Sequence, residues 1–141
     1  MNSRSIYEDG WTLDDVRANF AHDRYATQTL EPEVLEAAPG HAVVRMQITD
    51  LHRNALGSVM GGAIFTLADF ALAIASNVGQ APTVTVSSNV EYLSAAKGQV
   101  LTATCDADKR GRSLVFTTCD VVDELGAHVA RVTSSCLRVP R

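Results

Sequence analysis

The sequence predicts an α+β fold, one long helix beside an antiparallel sheet of about five to six strands. Three observations carry that prediction. Residues 58–77, "SVMGGAIFTLADFALAIASN", open on a glycine pair and then run apolar with no proline, which suits a helix from about Gly62 to about Asn77. Four strand-like runs follow it: "TVTVSSNVEYL", "QVLTATCDAD", "RSLVFTTCDVV" and "AHVARVTSSCLRV". The turns between them, "SAAKG", "DKRG" and "DELG", are short, and short turns suit antiparallel neighbours because parallel strands need a long crossover.

The elements can be justified in chain order. The N-terminal stretch "MNSRSIYEDGWTLDDV" has no apolar core behind its arginine, so no secretory signal is expected. "TLDDVRANFAHDRYA" reads as a first short helix, with Thr12 as its cap and Asp15 three residues on as a weaker capping box. "HAVVRMQIT" alternates, placing Val44, Met46 and Ile48 on one face and Val43, Arg45 and Gln47 on the other, as a strand does. "DLHRNALGSV" then carries Asn54 and Gly57 as turn formers, and Gly79 in "GQAP" supplies a stop after the long helix. That helix has almost no polar stripe, so it requires cover on more than one side. A curled sheet would supply one cover and a second subunit another.

Composition narrows the class. The 141 residues favour one domain, and 46% apolar with 20% charged residues is ordinary for a globular protein. A net charge of −4 gives no electrostatic reason to expect nucleic acid, whose binding rests on basic surface. The longest apolar run is broken by Thr66 and Asp69 and is too short for a membrane span. Cys105, Cys119 and Cys136 are odd in number and far apart, which suggests a reducing, cytoplasmic setting and small strand residues rather than disulfides. Neither they nor His22, His41, His52 and His128 show metal-ligand spacing, so no metal is expected.

The chemistry concentrates on Asp69, a carboxylate inside an apolar helix. An unpaired buried carboxylate is costly, which leaves three readings. It pairs with an arginine such as Arg45 or Arg53, it reaches solvent at a helix edge, or it reacts. Gly61 and Gly62 weigh on that choice, because backbone N–H groups at a helix start favour a developing negative oxygen. A base or nucleophile together with such donors makes an acyl-transfer site. Gly61 and Asp69 are, however, roughly 12 Å apart along a helix, too far for one carbonyl group to touch both. Two antiparallel copies of the helix about a two-fold axis would bring Asp69 of one chain to Gly61 of the other, so a site at a dimer interface is expected. Ser58 in "GSVMGG" lacks the Gly-x-Ser-x-Gly elbow, and there is no phosphate-cradling Gly-x-x-x-x-Gly-Lys loop. "KRGR" places Lys109, Arg110 and Arg112 around a hairpin glycine, as a solvated turn or as cations for phosphate.

"NALGSVMGGAIFTLAD" resembles the N-x-x-G-x-x-H-G-G-x-x-x-x-L-x-D signature of hotdog-fold acyl-CoA thioesterases of the phenylacetate-pathway (PaaI-like) type. The resemblance runs through "GQAPTVTVSSNVEYL" to "RVTSSCLR". It covers roughly residues 40–138 of a single 1–141 domain, with 1–39 as N-terminal helix and lead-in. It implies hydrolysis of an acyl- or aryl-CoA, with Asp69 as nucleophile or general base and the partner's Gly61 N–H polarising the thioester carbonyl. It implies that Asn54 places the carbonyl or the water and that the Thr85 hydroxyl helps position the water. Met60 and Gly62 count as substrate-binding candidates beside the carbonyl, with Lys109, Arg110 and Arg112 toward the phosphates of coenzyme A. No cofactor is implied beyond the coenzyme A of the substrate, and the assembly implied is a homodimer, often doubled to a homotetramer. The chain departs from the signature at Met60, where the family usually has histidine. Methionine offers no proton and only a weak acceptor. Two other functions remain open, a non-catalytic acyl-CoA-binding hotdog protein and a hotdog hydratase or dehydratase. Phe65, Phe70 and Leu72 are the expected walls of an acyl pocket.

Overall fold

A computed structural model describes residues 5–140. The first four residues, at which the reading for a leader begins, and Arg141 lie outside the described part. Two short helices come first, α1 (Leu13–Phe20) and α2 (Arg24–Leu30). Two strands follow, β1 (Glu33–Ala38) and β2 (His41–Gln47), then a 3-10 turn at Asp50–His52 and the long helix α3 (Gly61–Asn77). Four strands complete the chain: β3 (Thr83–Tyr92), β4 (Val100–Arg110), β5 (Leu114–Asp123) and β6 (His128–Arg138).

The six strands form one sheet in the order β1-β2-β4-β5-β6-β3, antiparallel at every pairing. The α3 helix packs on its inner face, chiefly against β2 and β4. Leu67, Ala68, Leu72, Ile74 and Ala75 are buried against Val44, Met46, Leu101 and Ala103. The alternation predicted for Val44 and Met46 of β2 and for Ile48 just after it holds, and all three are buried. The left-handed backbone of Gly79 (φ +66) ends α3, and its N–H donates to Ile6 O at 2.7 Å.

Four details depart from the sequence reading. The first helix is two helices: Thr12 and Asp15 form the predicted capping box, but α1 closes at Phe20. The His22 and Asp23 N–H groups bond three residues back, to Asn19 O and Phe20 O, which tightens and ends the turn before α2. The lead-in before residue 40 contains β1, a strand of the sheet, joined to β2 by the Pro39–Gly40 turn. Its "EVLEAA" has no β-branched alternation to announce it.

The "SAAKG" link is not a hairpin. It carries the chain from β3, whose sheet neighbour is β6, across to β4 on the far side of β5. The sheet must curl strongly for so short a link to span that gap.

Finally, Asp69, expected to be buried, is exposed, because the single chain leaves one side of α3 open, the side expected to need a second subunit. Gly62, Phe65, Thr66, Asp69 and Ala73 form one stripe at helical spacing that is exposed or half-buried, and Asp69 itself is exposed. The sheet covers one side of α3, and α1 with α2 covers a second. Phe20 of α1 meets Phe70 edge to face at 5.8 Å between ring centroids.

Candidate functional site

The loop before α3 is shaped by Asn54. Its side-chain oxygen accepts from Leu56 N–H at 3.0 Å and Ser58 N–H at 3.1 Å, while Gly57 turns the chain with φ +84. The Met60 N–H donates to His52 O at 2.8 Å, and the Met60 carbonyl accepts from both Ala63 N–H and Ile64 N–H. That arrangement satisfies the amides on either side of the glycine pair. Among the described residues the Gly61 and Gly62 N–H groups have no partner, so two donors remain at the positive end of a 17-residue helix.

Gly61 is held from the other side by Tyr92, whose hydroxyl donates to Gly61 O at 2.9 Å. A Cβ on Gly61 would stand 3.0 Å from that ring, so the close approach requires glycine. Gly61 lines a cavity of about 540 Å³ with Arg53, Ser58, Val59, Tyr92, Leu93 and the 94–96 segment.

Two carboxylates hold the chain just beyond the 94–96 segment of that cavity. Asp123 is buried and accepts four backbone N–H bonds, from Lys97 (2.7 Å), Gly98 (2.9 Å), Leu125 (3.0 Å) and Ala127 (2.8 Å). Burial pushes the Asp123 carboxyl up, but these donors outweigh it and hold it below the usual range. Glu124 takes the next two amides, Gln99 and Val100. Four consecutive N–H groups, those of residues 97–100, are thus gripped by two adjacent acids.

Asp69 lies two turns along α3 in a different cavity, of about 360 Å³, shared with Phe65, Thr66, Phe70 and Ala73 and with Asp23, Arg24 and Tyr25 from the start of α2. Its carboxyl is pushed up by desolvation among these side chains and by the Asp23 charge. Neither proposed arginine partner reaches it. Arg45 pairs with Glu33 at 2.6 Å, and Arg53 donates to Gly57 O at 3.0 Å. Of the three readings of Asp69, the arginine pair is therefore absent among the described residues. Solvent access at a helix edge is present in the single chain, and reactivity is left standing. Phe65 and Phe70 do line the acid's cavity, whereas Leu72 is in the core, 2% exposed, and lines neither cavity.

The remaining candidates are distributed. Thr85, on exposed β3, has its hydroxyl 3.8 Å from Cys136 Sγ. Burial pushes the Cys136 thiol up, the Thr85 hydrogen bond opposes that shift, and the Cys105 and Asp69 charges add to it. Met60 is 56% exposed, and its Cε would lie 3.7 Å from a Cβ placed on Gly62.

His52, eight residues upstream of Met60, cannot stand in for the absent histidine. It is buried, its Nδ1 accepts from Thr49 N–H at 3.0 Å, and its Nε2–H donates to Thr29 O at 2.6 Å. Lys109, Arg110 and Arg112 sit at the other end of α3, where Arg110 covers Gly40 and Gly40 N–H bonds to Ala75 O. Within one chain they are not gathered with Gly61. Sequence reasoning missed Arg53, Tyr92, Asp23, Arg24 and Tyr25 as cavity walls, because no local pattern marks them. The three cysteines are free and buried, and no group of metal ligands occurs among the described residues. No described helix is long and apolar enough to cross a membrane.

The chain is similar to known proteins of one family. The family model described as Thioesterase superfamily matches residues 56–130, which span Gly61, Asp69 and Thr85. The chain is 34% identical over 94 residues to the human protein "Acyl-coenzyme A thioesterase 13", covering 64% of this chain and 67% of that one. Among solved structures it resembles the Escherichia coli PaaI protein from the phenylacetic acid degradation operon. That match has a TM-score of 0.79 and 25% identity, over 92% of this chain and 97% of the other. It also resembles a Streptococcus mutans UA159 protein bound to acetyl CoA, with a TM-score of 0.74 and 25% identity over 78% of this chain and 90% of that one. A long helix on a curled six-stranded antiparallel sheet is the hotdog fold of these neighbours, and this chain belongs to the thioesterase superfamily.

Proposed function

We propose that this protein hydrolyses acyl-CoA thioesters to a carboxylic acid and free coenzyme A, as a homodimer whose two sites lie between subunits. The observation that carries the reading is the division of labour along α3. The free Gly61 donor and the Asp69 carboxylate open into separate cavities of one chain, so only an opposed second copy can bring them to one carbonyl.

The chemistry uses those two groups. In the general-base route Asp69 takes a proton from water as the water oxygen bonds to the thioester carbon. The carbonyl oxygen gathers negative charge toward the Gly61 N–H of the partner subunit. The tetrahedral intermediate then collapses, the C–S bond breaks, and the CoA thiolate takes up the proton. In the anhydride route Asp69 bonds to the same carbon, CoA leaves, and water cleaves the anhydride. Asn54 and the Thr85 hydroxyl are assigned to placing carbonyl and water, and Met60 with Gly62 to packing beside the thioester. Lys109, Arg110 and Arg112 are assigned to the phosphates of coenzyme A. Water is the only co-reactant, so no cofactor or metal is called for.

The dimer has support in exposed apolar surface. The β3 strand is a sheet edge with an unpaired side, and it leaves Val86 64% and Tyr92 54% exposed beside the uncovered stripe of α3. Two dimers joined as a tetramer, in a reducing cytoplasm, complete the reading.

One observation favours a second reading, binding without turnover: Met60 supplies no proton where the signature has histidine. The hydratase alternative is weaker still, since His52 has both ring nitrogens engaged by backbone. Thiol release from a panel of aryl, short and long acyl-CoAs tests the proposal. Turnover by the wild type that is lost in Asp69→Asn is expected. Equal rates for the two proteins would remove Asp69 from the mechanism, and tight binding with no turnover across the panel would establish the binding reading.

A further inference from the structure

The start of α2 holds a carboxylate that its own helix does not use. Asp23 is the N-cap residue of α2, a position where an aspartate ordinarily accepts from the second or third helical N–H. Here it makes no such bond. Its backbone sits at φ −76, ψ 73, and its side chain lines the cavity that contains Asp69. Arg24, a cation on that wall, forms no ion pair with either carboxylate among the described residues. Neither Asp23 nor Asp69 has an ion pair among the described residues.

We propose that Asp23 is a positioning residue acting through Asp69: its charge faces the same cavity and strengthens Asp69 as a base. The inference rests on the thioesterase reading above. The groups facing Asp69 are few. From α2 come Asp23, Arg24 and Tyr25, with His22 just before them, and from β6 comes the Cys136 thiol. Of these Asp23 is the carboxylate, and a like charge disfavours the ionised form of its neighbour, so Asp23 adds to the rise in Asp69 proton affinity that desolvation chiefly causes. A carboxylate near its ordinary value is a weak base toward water at neutral pH, and general-base catalysis gains as the base approaches the working pH. Asp23 thus contributes without touching water or thioester. Because α2 is short and outside the sheet, this influence can vary without altering the fold.

The test is the pH profile of kcat/KM for thiol release, for wild type, Asp23→Asn and Asp69→Asn. Asparagine is as good an N-cap as aspartate, so α2 is retained while the charge is removed. The expected result is that the acid limb of the Asp23→Asn profile moves down by about half to one pH unit, with the plateau falling about two- to five-fold. A merely structural Asp23 would scale the profile and leave the limb in place, and that outcome overturns the inference. A ¹³C titration of the Asp69 carboxyl in wild type and Asp23→Ser reads the same quantity without turnover, and equal midpoints there overturn it as well. Full activity in Asp69→Asn would instead remove the thioesterase mechanism itself, so the two failures are distinct.

Discussion

The cavity beside Gly61 and the cavity beside Asp69 are held by different means. Around Gly61 one wall is tied to the sheet and another is the 53–59 loop, closed on itself by its own hydrogen bonds. Tyr92 closes on the glycine carbonyl, and the end of the crossover with the first residue of β4 is gripped through four successive amides, 97–100, by Asp123 and Glu124. Around Asp69 one wall is the long helix itself. The other is α2, seven residues with no side-chain cap and no hydrogen bond to the sheet ladder. A donor aimed at a developing oxyanion must be fixed to within about half an ångström, whereas a wall that surrounds an acyl group can differ among enzymes. The fold spends its strongest local bonding on the first and leaves the second to an appended element.

Substitutions can break or sharpen this contrast. The largest effect is expected from Asp69→Asn, a loss of about 10²–10⁴-fold in thiol release with an unchanged melting temperature. Rates and a thermal melt measured on one preparation check both halves of that statement. Next comes Gly61→Ala. It keeps the N–H but puts a methyl against the Tyr92 ring, and displacement of the donor by a fraction of an ångström should cost about 10²-fold in kcat. If Tyr92→Phe, which removes only the hydroxyl bond, lost as much, the steric account would be wrong.

Asp123→Asn is expected to act on stability more than on chemistry. The new amide nitrogen cannot accept, so at least one pair of backbone donors is stranded. A fall of about 5 °C or more in Tm is expected, with KM rising because the crossover lines the Gly61 cavity. The sign with pH follows from the depressed carboxyl. Its stabilisation is full above the ordinary aspartate value and fades as pH falls through the lower folded one, so the difference between Asp123→Asn and wild type should shrink in strong acid.

The smallest effect is expected far from both cavities. His41 bridges β1, β2 and β4, with Nε2 2.8 Å from Glu36 and Nδ1 2.6 Å from Asp106. These hydrogen bonds, that to Glu36 foremost, raise the proton affinity of the imidazole. A raised basic group stabilises below its unfolded value, near 6.5, and the benefit disappears as pH rises through the folded one. His41→Gln should therefore lower Tm by a degree or two at pH 5.5 and by nothing at pH 9, leaving thiol release at neutral pH unaltered. A constant deficit at both pH values would mean packing, not charge.

How much of this was legible in the sequence depends on whether the signal was local. The α3 helix announces itself through an apolar run without proline, β2 through its 2-residue alternation, the four later strands as runs between short turns, and Thr12 with Asp15 through capping chemistry. The break between α1 and α2 was hidden because "HDRYA" has no proline or glycine to mark it. The β1 strand was hidden because alanine and glutamate are weak strand formers. The crossover read as a hairpin because link length shows how far a chain can go, not how strongly the sheet curls. For the site, Gly61 and Asp69 stood out as residues at odds with their surroundings, and such conflicts cluster where function lies. Asp23, Tyr92 and Arg53 follow ordinary local rules, and only the three-dimensional arrangement brings them to the cavities.

The partnership of β3 with β6 has a consequence during synthesis. A ribosome releases β3 some forty residues before the strand it must pair with, so the nascent chain carries an open, valine-bearing edge on both sides until translation nears the C-terminus. Sheet closure is then the last event and a strongly non-local one, which predisposes this small protein to slow assembly and gives chaperones a defined strand to shield.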